Sequence, residues 1–357
     1  MKILFVVSRL KKSGPTNQLF YLCNNLSSSH EVKVLTLSAE NENTDIQRFQ
    51  NAGFYFKCVQ LGSARNFVIN GRTRLKKYID SFSPSIIHTQ GIRPDLLVRT
   101  IKLSCPHIIT ARNFPLEDYP QKYGKIIGTI MSIIHFLTFI GFKNLISCSK
   151  TLHDKFLKFG IRSQVITNGT DIEKYSFSRN FNEDKKIFVI AVVGELNKRK
   201  NVIEILRWYK ESEEKNKYQL RIFGSGPLYK NYKREYSNYS GIQFYGHSKN
   251  IVEELHKCDC MLSYSKSEGF PNSVLEGLCM GLPAILSDIP AHKEMKKLLP
   301  DHVYLFNKQI EIDSVLSSIV KVLDLSLKKS ISSSSRKYFD SKVTAEKYFS
   351  VYQKTLG

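Results

Sequence analysis

The densest set of groups able to do chemistry is the segment Ser267-Glu268-Gly269-Phe270-Pro271-Asn272-Ser273-Val274-Leu275-Glu276-Gly277. Two carboxylates stand in it with seven residues between them. The segment follows an apolar run, Cys258–Ser263, and its second half opens a helix, with Asn272 at the N-cap position and Gly281 where a helix stops. On that reading the N–H groups of Ser273, Val274 and Leu275 are unpaired and aimed out of the helix end, an arrangement that binds phosphate. Glu276 then lies one turn in, near the ribose of a nucleotide held there. Glu268 lies on the preceding loop, beyond the phosphates and facing a sugar. Carboxylates beside a diphosphate are unfavourable as bare charges, but each is a strong acceptor for two hydroxyl donors. The plain alternative is a helix start with two surface glutamates.

The elements that must position these groups follow an α/β rhythm. Lys2–Ser8 reads as a strand, then comes a polar loop with Gly14 and Pro15 and a helix from about Thr16 to Leu26. Val32–Leu37, Ile86–His88, His107–Thr110, Asn144–Cys148 and Gln164–Ile166 are further strands, spaced widely enough for helices between them. The rhythm restarts with the uncharged run Ile187–Val193, as expected of a central parallel strand. Gln219–Phe223, Ile242–Tyr245, Cys258–Ser263 and Pro283–Leu286 continue it. The polar stretch 178–186 reads as a linker, and Ser332–Ser335 as a loop or mobile hinge before a terminal helix, Ser341–Lys354. The expectation is two doubly wound α/β domains: 1–175, 186–335, and a C-terminal helix within 336–357 that packs back on the first. Ligands in such sheets bind at the carboxyl ends of the strands, and a cleft between the domains is the natural site.

A length of 357 residues fits two or three domains of about 150 residues. With 42% hydrophobic and 24% charged residues, a disordered chain, a collagen-like repeat and a disulfide-dense scaffold are excluded. Lys and Arg number 53 against 32 Asp and Glu, a net charge of +21 that favours an anionic partner. The seven cysteines are scattered, with no CxxC pair, and Cys258 and Cys260 are too close in a strand to make half of a zinc site. A reduced, intracellular protein with buried thiols is expected. Ile3–Val7 is too short for the apolar core of a secretory signal.

Ile126–Phe142 carries no charge over 17 residues and is flanked by Lys125 and Lys143. Thr129, Ser132, His135 and Thr138 recur every third residue, so one face is polar. A buried helix of the first domain is the first expectation. A helix laying an apolar face into a bilayer surface is the second. A true span is the third, and it would put the two halves of one cleft on opposite sides of a membrane.

The pattern around Glu268 and Glu276 is the E-x7-E motif in its EGF-containing form, and it resembles the retaining glycosyltransferases of the GT-B fold, sequence family 4. Gly281-Leu282-Pro283 through Asp288 resembles the family's Gly-x-Pro strand and acidic turn. Val193-Gly194 with Lys198-Arg199-Lys200-Asn201 resembles its first nucleotide loop, and Gly224-Ser225-Gly226-Pro227 its second. Asn168-Gly169-Thr170-Asp171 resembles the turn before the linker, and Gly14 the amino-terminal glycine loop. These six segments stand in the expected order along the chain.

The resemblance implies roles. Glu276 holds ribose hydroxyls, Glu268 contacts hydroxyls of the transferred sugar, and Lys200 pairs with the diphosphate and stabilises the leaving nucleotide. Gly246 and His247 sit by the base, and Gly14, Arg199, Gly269, Phe270, Pro271, Asn272, Ser273 and Val274 complete the donor-binding set. Glu268, Lys200 and Arg112 are the catalytic candidates. No metal and no cofactor beyond the nucleotide sugar are expected, and Asp259, inside Cys258-Asp259-Cys260, is not expected to ligate one. Retention of configuration, through front-side displacement, comes from the resemblance alone.

Three departures stand out. Glu195 occupies a position where the family often has Arg, leaving Arg199 or Lys198 to supply the charge. Arg112 stands where relatives carry His; it is no base at neutral pH, and it either clamps an acceptor or donor phosphate or is an ordinary salt-bridge or surface residue. Pro15 replaces a second glycine and removes a backbone donor.

Basic residues group in the first domain, at Arg72-Thr73-Arg74-Leu75-Lys76-Lys77 and then Arg93, Arg99 and Lys102. They form a solvated face or dock on anionic lipid heads. The expectation is hexosyl or N-acetylhexosaminyl transfer from a nucleotide sugar, uridine before guanosine, to a lipid-linked saccharide. The setting is bacterial O-antigen, capsule or exopolysaccharide synthesis, in the cytoplasm and peripheral at the inner face of the membrane. A catalytically silent nucleotide-binding scaffold is the alternative. A polyanion-binding protein is less well supported, since residues 72–77 hold no aromatic and no nucleic-acid module is present, so nucleic acid is not an expected partner. An epimerase of the same fold would need an acid/base pair that is not assignable.

Overall fold

The apolar runs become the strands of two parallel sheets, covered by helices. The structure is a computed structural model, and it describes residues 1–42, 44–61, 70–177, 187–248 and 250–357. The stretch 178–186, expected as a linker, lies outside the described residues. The chain divides into two units, Met1–Gly169 with Ser341–Gly357, and Thr170–Asp340; the boundaries drawn from sequence stood at 175, 186 and 335.

The first unit holds strands β1 (Lys2–Val7), β2 (Glu31–Thr36), β3 (Tyr55–Cys58), β4 (Ile86–Gln90), β5 (His107–Ala111), β6 (Leu145–Ser147) and β7 (Gln164–Val165). Their order is β3-β2-β1-β4-β5-β6-β7, all parallel. The edge strand β3 escaped the sequence reading because Tyr55-Phe56-Lys57-Cys58 is short and none of it is fully buried. Ile3, Phe5, Val34 and Leu19 of the Gly14–Leu26 helix share a core with Tyr348, Val351 and Tyr352 of the Ser341–Leu356 helix. His88 on β4 is buried there, its Nδ1 2.6 Å from the Tyr352 hydroxyl and its Nε2 2.7 Å from Thr110 Oγ1.

The second unit holds β8 (Phe188–Val193), β9 (Tyr218–Phe223), β10 (Ile242–Gly246), β11 (Cys260–Ser263), β12 (Ala284–Ser287) and β13 (Val303–Phe306), in the order β10-β9-β8-β11-β12-β13, all parallel. The four-residue edge strand β13 was also missed. Asp259 is structural: it is buried, its Oδ2 accepts the Val189 N–H at 2.8 Å, and its Oδ1 lies 4.0 Å from Lys328 Nζ.

Three expectations are corrected. Ser332–Ser335 is no hinge but part of the Leu325–Phe339 helix, because Ser332 Oγ donates to the Cys279 carbonyl at 2.5 Å and Ser335 Oγ to the Ile331 carbonyl at 2.6 Å. Cys58 and Cys105 are only partly buried, whereas the other five thiols are inside. Of the basic group in the first unit, Arg93 alone departs from a solvated face: Arg72, Arg74, Lys76, Lys77, Arg99 and Lys102 are exposed, whereas Arg93 turns inward to Ser38 Oγ and the Leu61 carbonyl at 2.7 and 2.8 Å.

Candidate functional site

The second sheet reverses its strand order between β8 and β11, and ligands of α/β sheets lie at the carboxyl ends beside such a reversal. β8 ends at Val193 and turns at Gly194; β11 ends at Ser263 and runs into the loop carrying Glu268. The turn depends on glycine. A Cβ on Gly224, whose φ is +124°, would stand 2.0 Å from the Gly194 carbonyl oxygen, so the two loops close on each other only without a side chain there. Lys200 lies along Gly194, its Cε 3.0 Å from where a Cβ would be. Asn197 Oδ1 accepts the Lys200 N–H at 2.9 Å, and Asn201 takes a left-handed turn (φ 53°) into the Val202–Glu211 helix. These features aim Arg199 and Lys200 at the same carboxylate.

That carboxylate is Glu268, whose side chain is 6% exposed. Its Oε1 lies 2.7 Å from Lys200 Nζ and accepts from Ser265 Oγ at 2.8 Å; its Oε2 lies 2.8 Å from Arg199 Nη1, which also donates to the Ser267 carbonyl. Burial alone would raise the Glu268 carboxyl, but the Lys200 ammonium and Arg199 guanidinium outweigh it and hold the group well below the usual carboxylate range. Glu276, one turn into the Asn272–Cys279 helix, is in the opposite regime. Burial pushes its carboxyl up to about 7, against the Lys174 ammonium and a hydrogen bond from Tyr175.

The helix start differs from the expectation. Pro271, not Asn272, is the N-cap, and Asn272 is the first helical residue. The N–H groups of Val274 and Leu275 turn back to the Pro271 carbonyl at 3.0 and 3.2 Å, which leaves Ser273 as the outward amide of that trio among the described residues. Ser273 Oγ donates to the Val193 carbonyl at 3.2 Å and ties the helix start to the end of β8. Phe270 and Val274 are buried, with the Phe270 ring 6.1 Å from that of Phe339. Their side chains are core, so a donor contact at either falls to the backbone.

On the second unit the structure joins Arg199 and Lys200 to Glu268, with Gly269 next in the chain, Ser273 tied to the end of β8 and Glu276 one turn further along the same helix. Gly246 ends β10 at φ +62°, its carbonyl accepting the Gly224 N–H at 2.7 Å, and His247 beside it is exposed. Glu195 is exposed and accepts from Asn197 Nδ2 at 3.1 Å, and Lys198 is exposed, so the cation beside Lys200 is Arg199. Gly14 and Arg112 belong to the other unit. Gly14 opens its helix one residue ahead of Pro15. Arg112 follows β5, with Nη1 donating to Asn168 Oδ1 at 2.6 Å and Nε to Gln90 Oε1 at 3.2 Å. Both partners are neutral, and no carboxylate pairs with Arg112 among the described residues, which removes the ordinary salt-bridge reading there.

Sequence reasoning missed His292, Ser265, Lys174 and Tyr175. His292 is fully buried, and its Nδ1 lies 2.7 Å from the Ser287 carbonyl, so that nitrogen carries the proton and Nε2 is an acceptor, unpartnered among the described residues. Burial lowers its pKa to about 4, although the Glu268 charge pulls upward, so the ring is neutral at pH 7. Its only sequence signal was its place two residues after Pro290, at the start of the helix that follows the Gly-x-Pro strand.

Comparison with known proteins gives the family and the fold. The family "Glycosyltransferase Family 4" matches residues 12–174 and "Glycosyl transferases group 1" matches residues 171–336. The O-antigen biosynthesis glycosyltransferase WclY of Escherichia coli is 26% identical over 313 residues, 83% of this chain and 82% of that protein. The UDP-Gal:alpha-D-GlcNAc-diphosphoundecaprenol alpha-1,3-galactosyltransferase of Escherichia coli is 25% identical over 273 residues, 70% and 69% of the two chains. A crystal structure of Anabaena HepE in complex with UDP superposes with a TM-score of 0.77 at 14% identity, covering 99% of this chain and 100% of that one. The fold is GT-B, and the chain belongs to the glycosyltransferases of family 4 and group 1.

Proposed function

We propose that the protein transfers a hexosyl or N-acetylhexosaminyl group from a UDP-sugar to a lipid-linked saccharide, with retention of configuration, in the assembly of a bacterial surface polysaccharide such as O-antigen. The observation that carries the reading is the pairing of Lys200 and Arg199 on the buried Glu268 at the β8–β11 reversal. Two cations held in a low-dielectric site are preorganised for a diphosphate, and they stabilise the charge that grows on it as the sugar leaves. Glu268 Oε1 is taken by Lys200 and Ser265, whereas Oε2 has one partner among the described residues, Arg199, and a lone pair to offer a sugar hydroxyl. Glu276 accepts ribose hydroxyls, and Arg112 holds an acceptor phosphate. In the transfer, the bond from the anomeric carbon to the phosphate oxygen breaks, and the acceptor oxygen bonds that carbon on the same face. The acceptor proton passes to the departing phosphate oxygen. The residues that act are cations and hydrogen-bond acceptors, so no metal ion enters the scheme.

The donor and acceptor classes follow those that the relatives are named for: a UDP-sugar and a diphosphoundecaprenol-linked sugar for the galactosyltransferase, and UDP for HepE. The test is a thermal-shift screen against UDP, GDP, CMP and their sugar conjugates in chelator, followed by turnover with the stabilising donor. Ligand at 100 times its dissociation constant adds about 2.7 kcal/mol. Selective stabilisation by UDP and its sugars supports the reading. Nucleotide binding without transfer to any polyprenyl-diphosphate saccharide would point to a silent scaffold instead.

A further inference from the structure

The Lys125–Phe139 helix buries three polar side chains while leaving most of its aliphatic ones outside. Ser132, His135 and Thr138 point into the first unit, where His135 Nδ1 lies 2.7 Å from the Tyr119 hydroxyl and His135 Nε2 2.8 Å from Asp95 Oδ2. Asp95 Oδ2 in turn accepts the Gly91 N–H at 3.1 Å, at the end of β4. Ser132 and Thr138 are buried on the same side and bond to carbonyls of their own helix. With these three residues fixed inside, Ile126, Ile127, Ile130, Ile133, Ile134 and Leu137 are left outside, from 79% exposed at Ile126 to 41% at Ile134. The expectation of a buried helix is therefore corrected: one side only is buried, and it carries Phe136 and Phe139 as well as Ser132, His135 and Thr138, whereas Thr129 of the expected polar face is exposed. A contiguous aliphatic stripe of this extent marks an interaction surface.

The charge around the stripe selects the occupant. Lys122, Lys125 and Lys143 flank it, all exposed, and no Asp or Glu occurs between Asp118 and Asp154. A second copy of the chain meeting this face about a two-fold axis would set lysines against lysines with no carboxylate to pair them. The stripe itself holds no Tyr, Trp or Arg, the anchors of protein interfaces, and Tyr123, 44% exposed, stands only at its edge. Aliphatic side chains ringed by ammonium groups fit acyl chains beneath anionic headgroups. The helix has 15 residues, about 22 Å of length against a hydrocarbon core of about 30 Å, so it lies in the interface and does not cross. No helix among the described residues is long and apolar enough to span a membrane.

We infer that the outward face of the Lys125–Phe139 helix docks on an anionic lipid bilayer, seating its isoleucines at the acyl boundary. This deepens the proposed function by naming the surface that meets the lipid carrying the acceptor. The test is co-sedimentation of the full chain with phosphatidylglycerol-rich vesicles and with pure phosphatidylcholine vesicles, without donor or acceptor. Wild type is expected to pellet with the anionic vesicles and to be released by salt. The double variant Ile130→Gln/Ile134→Gln is expected to bind about tenfold or more weakly, with unchanged Tm and unchanged stabilisation by UDP. Lys125→Glu/Lys143→Glu, which leaves the stripe intact, is expected to lose the preference for anionic lipid. The inference is overturned if wild type stays in the supernatant, if the glutamine variant binds as wild type does, or if that variant instead converts a dimer to a monomer. Because vesicle binding is read without nucleotide, its failure leaves the donor-site reading standing, and a failed nucleotide screen leaves this one standing.

Discussion

The two units have sheets of the same kind, and the cluster around His88 in the first and that around Glu268 in the second bury polar groups in opposite ways. The first closes neutral groups on each other: His88 between Tyr352 and Thr110, with the Tyr348 hydroxyl 3.3 Å from Thr110 Oγ1. Burial holds His88 well below the ordinary imidazole pKa and Tyr352 well above that of tyrosine, so neither charges near neutrality. The second unit buries ions, with Glu268 between Arg199 and Lys200. A neutral network satisfied on all sides locks one packing arrangement. A buried ion cluster repays its desolvation poorly as a stabilising device and is retained where a ligand uses it. One topology thus carries a structural centre in one place and a chemical one in the other, set by side chains alone.

The largest expected effect tests the structural side. Tyr352→Ala removes a fully buried ring and leaves His88 Nδ1 unpaired, which should cost about 3–5 kcal/mol in urea denaturation. A loss under about 1 kcal/mol would remove the contrast.

Lys200→Ala tests the chemical side. It should lower kcat with the preferred nucleotide sugar about 10²–10³-fold, as loss of one preorganised charge-stabilising group does elsewhere. Tm should hold, since Arg199 and Ser265 still satisfy Glu268. Turnover within threefold of wild type would sink the assignment.

The third prediction separates the two carboxylates by pH. Hydroxyl donors prefer the Glu276 carboxylate, so nucleotide affinity should rise by up to tenfold per pH unit below about 7 and level off above it, with Glu276→Gln flattening the curve. In the unliganded protein the folded state binds the Glu276 proton more tightly than the unfolded chain, so this group's contribution to stability falls as pH rises from 4.5 toward 7. Glu268 has the opposite sign: its folded pKa is depressed, so its contribution is present above 4.5 and is lost as pH falls below that value. Calorimetric titration with UDP between pH 5.5 and 8.5 checks the first claim and acid unfolding the second.

The smallest effect is expected at Arg112→Lys. The charge stays, but the hold on Gln90 and Asn168 is lost, which should cost about 1 kcal/mol, roughly fivefold in acceptor KM, at unchanged donor affinity. An equal change in donor affinity would move Arg112 to the donor side.

Where an element's fate rested on near neighbours, the amino-acid order was enough. Runs such as Ile3–Val7 and Val189–Val192 are legible because a strand buried on both faces must be apolar throughout. The spacing of Glu268, Glu276 and the glycines of the two loops is legible because a ligand reads backbone and carboxylate at fixed offsets. The convergence of Arg199, Lys200 and Ser265 on Glu268 was not, since the two cations stand 69 and 68 positions before it and only the β8–β11 pairing joins them.

The same division holds for what was misread. Ser332–Ser335 has the composition of a loop, and only the Cys279 carbonyl, 53 positions away, gives Ser332 a partner that lets the segment stay helical and buried. The helix after Glu268 has the residues of an N-cap, but the Pro271 carbonyl takes the amides of Val274 and Leu275. For the Lys125–Phe139 helix, sequence alone determined that it would have an apolar and a polar side. Tertiary structure decided which side faces out: Asp95, 40 positions from His135, is buried and hydrogen-bonds to it, and Phe136 and Phe139 pack on Phe114 and Phe156 on that same side, which leaves the six aliphatic side chains outside.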